Sequence, residues 1–160
     1  MNNHTEIEIR KDFNTIDAND TTVVAAKTVL EIGDLMKDGT IFAGISPDTN
    51  QKMYVEPFGA SMTMSFNEAV EYAKKLQVGD KNDFRIPSKA ELNVLFKNKD
   101  KGALKGSFNV TGSDVAGWYW SSSSTPHEKI KINAWMQRFS DGLQNYNLFR
   151  YFDGSVRCIR

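Results

Sequence analysis

The sequence predicts a domain of the α+β class. Two amphipathic segments with helix-start signals occupy the middle of the chain, and short strand-like segments follow them to residue 160. Helices that precede a short-stranded antiparallel sheet, rather than alternating with its strands, are typical of this class. A strand–turn–strand pattern ahead of the helices adds a hairpin to the prediction.

The predicted hairpin opens the compact part of the chain. Two strand-like segments, TIFAGIS and QKMYVEP, flank the turn sequence PDTN. Pro, Asp and Asn favour turns because of their restricted or locally hydrogen-bonded backbones. We therefore expect an antiparallel strand pair within residues 40–57.

Both helices are predicted from their first residues. Ser65 is followed three positions later by Glu68, and Ser88 by Glu91, which is the capping-box pattern. Apolar residues then recur at helical spacing, which predicts one buried stripe on each helix. The stripes consist of Phe66, Ala69, Val70, Ala73 and Leu76 in the first helix, and of Leu92, Leu95 and Phe96 in the second.

After residue 107 the pattern is that of a sheet. Four strand-like segments, WYWSS, AWMQRFS, QNYNLF and SVRCIR, are separated by Gly, Asp, Ser and Pro. Alternation divides the second segment into two faces, with Trp135, Gln137 and Phe139 on one and Ala134, Met136 and Arg138 on the other. In SVRCIR, Val156 and Cys158 point one way and Arg157 the other.

The length of 160 residues predicts one domain with an appended segment. Residues 1–36 differ from the rest: a brief alternation around Ile7 and Ile9 predicts a short strand, followed by a loop and an ambiguous apolar stretch. We assign residues 1–36 to an N-terminal arm and residues 37–160 to the compact domain. Two roles stay open for the arm, packing on its own domain or attachment to a larger assembly.

Composition excludes several functional classes. Twenty basic and twenty acidic residues balance, which argues against nucleic acid as a partner, since that requires a basic excess. No apolar run approaches the length that spans a bilayer, so membrane insertion is not expected. The polar N-terminus lacks the apolar core of a Sec signal peptide. We therefore expect synthesis in the cytoplasm, with a virion or a surface assembly as an alternative final location.

No pattern of catalytic or metal-binding residues stands out. The two histidines, His4 and His127, are far apart, and a metal site needs several converging ligands. The serine run 121–124 lacks the G-x-S-x-G context of a nucleophile, and we expect it to satisfy backbone groups at a strand end. Cys158 cannot form an intramolecular disulfide, because it is the only cysteine, and we expect it to be a small buried hydrophobe. No catalytic residue, metal or cofactor is predicted.

The order of several short segments resembles the Lcl C-terminal domain-like family. The segments are FRIPSKAEL (84–92), YWSSS (119–123), AW (134–135), FSDG (139–142) and the final VRCIR (156–160). The resemblance covers roughly residues 38–160. Phe84 stands where that family typically has Trp, an exchange of one aromatic residue for another.

This resemblance implies a C-type-lectin-like fold, two helices packed on a short antiparallel sheet, related to formylglycine-generating enzymes. Those enzymes bind copper with a pair of cysteines, whereas this chain has one. The calcium-binding lectin signatures are also missing, because Glu56 and Pro57 are followed by Phe58, which offers no oxygen to a hard cation. The resemblance therefore favours a binding module without catalytic activity.

The family is also similar to the variable proteins of diversity-generating retroelements, which implies a ligand-binding surface near the C-terminus. All three tryptophans and half of the eighteen aromatic residues lie between Trp118 and Phe152. Tyr, Arg and Asn supply contact area and adaptable hydrogen bonds in recognition surfaces. The predicted ligand-binding residues are Met136, Arg138, Asp141, Asn145, Tyr146, Asn147, Phe149, Arg150 and Tyr151.

Three functional hypotheses follow. The first is a non-enzymatic module that presents this surface to a protein or glycan, for example in a phage tail or surface assembly. The second is an oxidase of the formylglycine-generating type. The third is a structural protein whose aromatic face joins copies into a homo-oligomer.

Overall fold

The computed structural model describes residues 29–57, 62–111, 115–126 and 133–160, without the side chains of Asn147 and Leu148. The strands are β1 (Ile41–Ile45), β2 (Lys52–Val55), β3 (Thr63–Met64), β4 (Trp118–Ser121), β5 (Asn133–Arg138), β6 (Gln144–Phe149) and β7 (Gly154–Ser155). The helices are α1 (Phe66–Lys75) and α2 (Lys89–Asn98), and two 3-10 turns, Gly102–Leu104 and Val115–Gly117, lie between α2 and β4. The predicted α+β class is confirmed. Neither α1 nor α2 is long and apolar enough to cross a bilayer.

Both helices begin where the sequence predicts. Ser65 and Ser88 each accept a hydrogen bond from the backbone N–H of the glutamate three residues later, and that glutamate accepts one in return from the serine N–H. Each capping box therefore satisfies donors that the first turn leaves without a helical partner. The apolar stripes also point inward, with Ala69, Leu92 and Leu95 fully buried.

The main sheet has five strands in the order β3-β7-β4-β5-β6. β7 pairs with β3 in the antiparallel sense and with β4 in the parallel sense, so a late segment of the chain lies inside the sheet. Successive residues of β4 point to opposite faces: Tyr119 packs with Leu92 and Leu95 of α2, and Trp120 packs with Phe66 and Ala69 of α1. The sheet is thus covered by one helix on each face.

The C-terminal segment links this sheet to the β1–β2 hairpin. A strand over the whole of SVRCIR was expected, but the sheet pairing ends with β7. Ile159 instead forms bridges to both Val55 and Arg85, and Tyr54 and Arg160 exchange two backbone hydrogen bonds of 3.0 and 2.9 Å. The chain leaves one sheet to join the other, and this departure shortens the predicted strand.

Residues 29–36, the described end of the predicted arm, are hydrogen bonded to the domain. The Gly33 N–H donates to the Phe42 carbonyl at 2.8 Å, and the Ala103 N–H donates to the Gly33 carbonyl at 2.8 Å. Gly33 and Gly102 both have positive φ, and their backbones cross in contact. The boundary after residue 36 stays a prediction, and residues 1–28 lie outside the described part.

Gly33→Ala is expected to lower the free energy of unfolding by about 2 kcal/mol. A Cβ at Gly33 would lie 2.6 Å from the Lys101 carbonyl oxygen and 2.7 Å from the Gly102 Cα, and φ is +98°. Gly106→Ala is the matched control, since Gly106 has a φ of +75° but, among the described residues, no neighbour within 4 Å of such a Cβ. Chemical denaturation should show a clearly larger loss for Gly33→Ala. Equal losses would mean that the crossing contributes nothing beyond the unfavourable φ.

Candidate functional site

The predicted binding residues lie on β5, on β6 and in the segment after β6. The hairpin pairs Gln137 with Gln144 and Met136 with Asn145, and its register shifts between Ala134 and Met136. Such an irregularity changes which face the following residues present. The predicted surface is therefore divided between the two faces of the sheet.

Tyr146 lies on the α2 side of the sheet. Its ring packs against Trp135 with 4.8 Å between ring centroids. The Lys89 ammonium, at the start of α2, lies 3.8 Å from the centroid of the Trp135 ring. The indole Nε1 donates to the Ser124 carbonyl at 3.0 Å, which fixes the ring orientation. Trp135 was predicted only to share a face with Gln137, and the structure adds it to the surface around Tyr146.

Arg150 lies on the opposite, α1 side. Its guanidinium is 4.4 Å from the Phe66 ring centroid, and its Nε donates to the Asn133 carbonyl at 2.9 Å. Asn145 pairs with Met136, and directly opposed residues share a face, so Asn145 is on this side too. Asn147 belongs to β6, but its side chain is outside the described ones.

Three rings meet where the chain leaves β6. Phe149 and Tyr151 stack with centroids 5.2 Å apart and an interplanar angle of 8°, and the Phe152 ring lies 4.8 Å from that of Tyr151. Tyr151 is 66% exposed and Phe152 47%. We refer to Phe149, Tyr151 and Phe152 as the aromatic tip. The first two were predicted from sequence, and Phe152 was missed.

Of three further predicted residues, Met136 is buried, whereas Arg138 and Asp141 lie at the β5–β6 turn. Met136 is 2% exposed and packs in the core below α1, so its side chain is not part of an accessible surface, contrary to the prediction. Met136 and Arg138 share a face of β5, but Met136 lies at the centre of the sheet, where α1 covers it. Arg138 and Asp141 form an ion pair at the β5–β6 turn, and this hydrogen bonding lowers the pKa of Asp141 to about 2.

A polar groove of about 370 Å³ lies beside Trp135 and was not predicted. It is formed where the β1–β2 turn, the start of α2, the end of β4 and the start of β6 meet. We refer to it as the α2 groove. Its polar lining consists of Asp48, Ser88, Lys89, Asn93, Ser123 and Gln144.

The serine run contributes to this groove by satisfying backbone groups, as the sequence predicts. Ser123 Oγ accepts a hydrogen bond from the Lys89 N–H at 2.9 Å, and Ser121 Oγ accepts one from the Ser123 N–H at 3.2 Å. The end of β4 is thereby joined to the first residue of α2.

Cys158 is enclosed in the core with no exposed surface, as predicted. Burial, together with the neighbouring Glu56 carboxylate, raises the pKa of the Cys158 thiol well above its ordinary value. A protonated, buried thiol is a poor nucleophile and a poor metal ligand. Within the described residues, no group of three or more His, Cys, Asp or Glu side chains could hold a metal ion, and His4, His127 and Phe58 lie outside them.

The model of the Lcl C-terminal domain family matches residues 40–160. The chain belongs to the Lcl C-terminal domain family. The match begins one residue before β1 and includes both helices, every described strand, the aromatic tip and the α2 groove. None of the curated proteins compared with the chain matches it.

One sequence signal pointed toward the groove of this Lcl C-terminal domain. Gln137 is polar, yet it alternates with Trp135 and Phe139 on the face that covers α2. A buried amide requires polar partners, and Gln137 finds them in Asn93 and Gln144 at the groove floor. The other lining residues come from separate segments, so no local motif could have identified them.

Proposed function

We propose that this Lcl C-terminal domain is a non-enzymatic binding module. It presents the aromatic tip, at the end of β6, to a protein or glycan. The observation that carries the proposal is the aromatic tip, whose two most exposed rings project from a strand end held by the sheet. Monomeric proteins rarely expose contiguous large aromatic side chains without a function. Rings of this kind, held by their neighbours, supply contact area with little loss of conformational entropy on binding.

The finer fold assignment is part of this proposal. A C-type-lectin-like fold is supported by the two helices, the mixed sheet and the return of the C-terminal segment to the first hairpin. In such a scaffold, the residues between β5 and β7 form a surface that can vary without loss of the core. Residues 1–36 would attach the module to a larger assembly, such as a phage tail or a surface structure.

The burial of Cys158 weighs against the oxidase hypothesis. A copper site of the formylglycine-generating type needs accessible thiolates, whereas this thiol is enclosed and held protonated. Copper titration with Cys158→Ala as the control tests the point. Copper uptake that depends on Cys158 would support the oxidase hypothesis.

The exposed tip also supports the third hypothesis, an interface between copies of the chain. Light scattering separates the two possibilities. A stable oligomer that dissociates when Tyr151 and Phe152 are changed to alanine would favour a structural role over recognition of another molecule.

The proposed function is tested by an unbiased pull-down with the native chain and a Phe149→Ala/Tyr151→Ala/Phe152→Ala variant, which removes the aromatic tip and leaves Tyr146 unchanged. We expect the native chain to retain a partner and the variant to lose at least about 90% of it, since truncation of central aromatic contacts weakens binding by tenfold or more. Circular dichroism must first show that both are folded. A Lys97→Ala/Lys105→Ala variant, changed at exposed residues away from the tip, is the control. Equal retention by all three would place the binding surface elsewhere.

A further inference from the structure

We propose that the α2 groove binds an uncharged saccharide, with one sugar ring lying toward the Trp135–Tyr146 pair. The inference rests on the proposed function, because it names a ligand class for a site that adjoins the same hairpin. Three properties of the groove carry it: its charge, the fixed orientation of its amides and its position next to the aromatic pair.

The charge of the groove favours an uncharged ligand. Asp48 and Lys89 are its charged lining residues, and their formal charges cancel. Two donors at the start of α2 are already used, because the Lys89 N–H donates to Ser123 Oγ and the Glu91 N–H donates to Ser88 Oγ at 3.2 Å. The Asp48 carboxylate accepts a hydrogen bond from the Ser88 hydroxyl, also at the start of α2. An anionic ligand would meet this carboxylate where a helix dipole would otherwise attract it.

The amides of the groove have their orientation fixed from below. Gln137 Nε2 donates to the Gly142 carbonyl and to Asn93 Oδ1, both at 3.1 Å. Gln144 Nε2 donates to the Lys89 carbonyl at 3.0 Å and to Gln137 Oε1 at 3.1 Å. A backbone carbonyl can only accept, so these bonds determine which end of each glutamine amide is the nitrogen.

This orientation gives the lining of the groove one donor and one acceptor, from Asn93 and Gln144. The Asn93 oxygen is bonded to Gln137, which leaves the nitrogen of this lining residue as the donor. The Gln144 nitrogen is bonded to the scaffold, which leaves its oxygen as an acceptor. Adjacent hydroxyls of a sugar ring each donate and accept, so they match such a pair. Because the amides are already ordered, binding would lose little side-chain entropy.

An aromatic pair adjoins the groove through Lys89. Lys89 lines the groove, and its ammonium lies over the Trp135 ring, against which Tyr146 packs. A pyranose ring has an apolar C–H face and a rim of hydroxyls. It can therefore pack against the aromatic pair while its hydroxyls reach Asn93, Gln144 and Asp48. Amphipathic ligands of this kind require apolar and polar groups at fixed positions, as the groove provides.

The test is a two-dimensional NMR titration of the full chain with four neutral oligosaccharides: maltotriose, cellotriose, lactose and N,N′-diacetylchitobiose. Trigalacturonate is the anionic comparison. We expect at least one neutral probe to shift the Asn93 side-chain amide and the Trp135 indole signals, and trigalacturonate to shift neither. Asn93→Asp keeps the acceptor for Gln137 and removes the donor, and Asp48→Asn removes the charged acceptor. Each should weaken the binding of that probe about tenfold.

Matched variants away from the groove control for the chemical change itself. Asn67→Asp and Asp80→Asn alter exposed residues on α1 and on the loop that follows it, and should leave saccharide affinity unchanged. Thermal unfolding shows whether the groove variants remain folded. The inference is overturned if no neutral probe shifts the groove signals, if trigalacturonate binds there, or if the groove variants bind like the native chain. A protein partner captured through the aromatic tip, with no saccharide bound, would leave the proposed function standing and remove this inference alone.

Discussion

Arg157→Ala is expected to destabilise the domain by about 4 kcal/mol, because it removes one member of a buried charged network. The Arg157 side chain has no exposed surface, and its Nη1 donates to the Ser107 carbonyl at 2.9 Å. Its guanidinium lies 4.8 Å from the Phe108 ring centroid. Burial lowers the pKa of Arg157, and the negative charge of Glu56 opposes that effect. Urea titration followed by tryptophan fluorescence measures the change in the free energy of unfolding.

The effect of losing the Arg157 charge can be separated from the effect of losing its packing by a second substitution. Glu56 is 2% exposed and accepts hydrogen bonds from the Tyr72 hydroxyl at 2.7 Å and the Cys158 N–H at 2.8 Å. Burial raises the pKa of Glu56, while these bonds and the charge of Arg157 lower it. Arg157→Met retains most of the side-chain volume but leaves Glu56 without that charge.

Adding Glu56→Gln to Arg157→Met is therefore expected to cost less than the sum of the two single changes, with a coupling of about 1 kcal/mol or more. Strict additivity would show that the two charges do not interact. A loss below about 1 kcal/mol for Arg157→Ala would contradict the buried network as a source of stability.

Glu91→Gln is expected to lower the free energy of unfolding at neutral pH by about 3 kcal/mol. The Glu91 carboxylate is 1% exposed and receives two hydrogen bonds of 2.6 Å from Arg85, one of 2.6 Å from the Ser46 hydroxyl and one of 2.9 Å from the Ser88 N–H. Burial alone would raise the pKa of Glu91, but these bonds outweigh it and lower the pKa to about 2. The ionised carboxylate therefore stabilises the folded state.

The pH dependence follows from the direction of this shift. The pKa of Glu91 is lower in the folded state than in the unfolded chain, where the ordinary value is 4.5. The stabilisation is complete above that unfolded value and is lost as the pH falls toward 2. Stability measured between pH 5 and pH 2 should decline more steeply for the native chain than for Glu91→Gln, so that the two curves converge.

Glu68→Gln is the matched control, since Glu68 occupies the same capping-box position in α1 but is exposed and, within the described part of the chain, has no arginine partner. We expect a much smaller effect from it. Equal losses from the two substitutions would show that the capping box, and not the buried ion pair, supplies the stabilisation.

The elements that could be predicted from sequence are those specified by neighbouring residues. Each capping box is contained in four consecutive residues, and both helices begin at the predicted serine. Alternation in AWMQRFS correctly separated Gln137 from Ala134 and Met136, because one strand decides its own faces. It could not place these faces relative to solvent, so Met136 was assigned to the surface although α1 covers it.

The elements that could not be predicted depend on distant partners. The register shift of the β5–β6 hairpin divides Tyr146 and Arg150 between opposite faces. No residue within QNYNLF predicts this shift. The α2 groove needs four separate segments to converge. Arg157 lies in a predicted strand, where an arginine that alternates with Val156 and Cys158 gives no sign that its own side is enclosed by Phe108 and Ser107.

The late position of β7 in the sequence has a consequence for biosynthesis. β7 lies between β3 and β4, and the hydrogen bond from the Cys158 N–H to Glu56 joins residues 102 positions apart. While the ribosome is still synthesising β4, β5 and β6, the first hairpin and α1 have no complete sheet to pack against. Contacts between such distant residues form slowly, because the loop between them must first be closed. The nascent chain thus exposes Phe66, Trp120 and Met136 until Val156 and Cys158, which pack in the same cluster, emerge. We expect a chaperone that binds unfinished chains to recognise the three exposed residues.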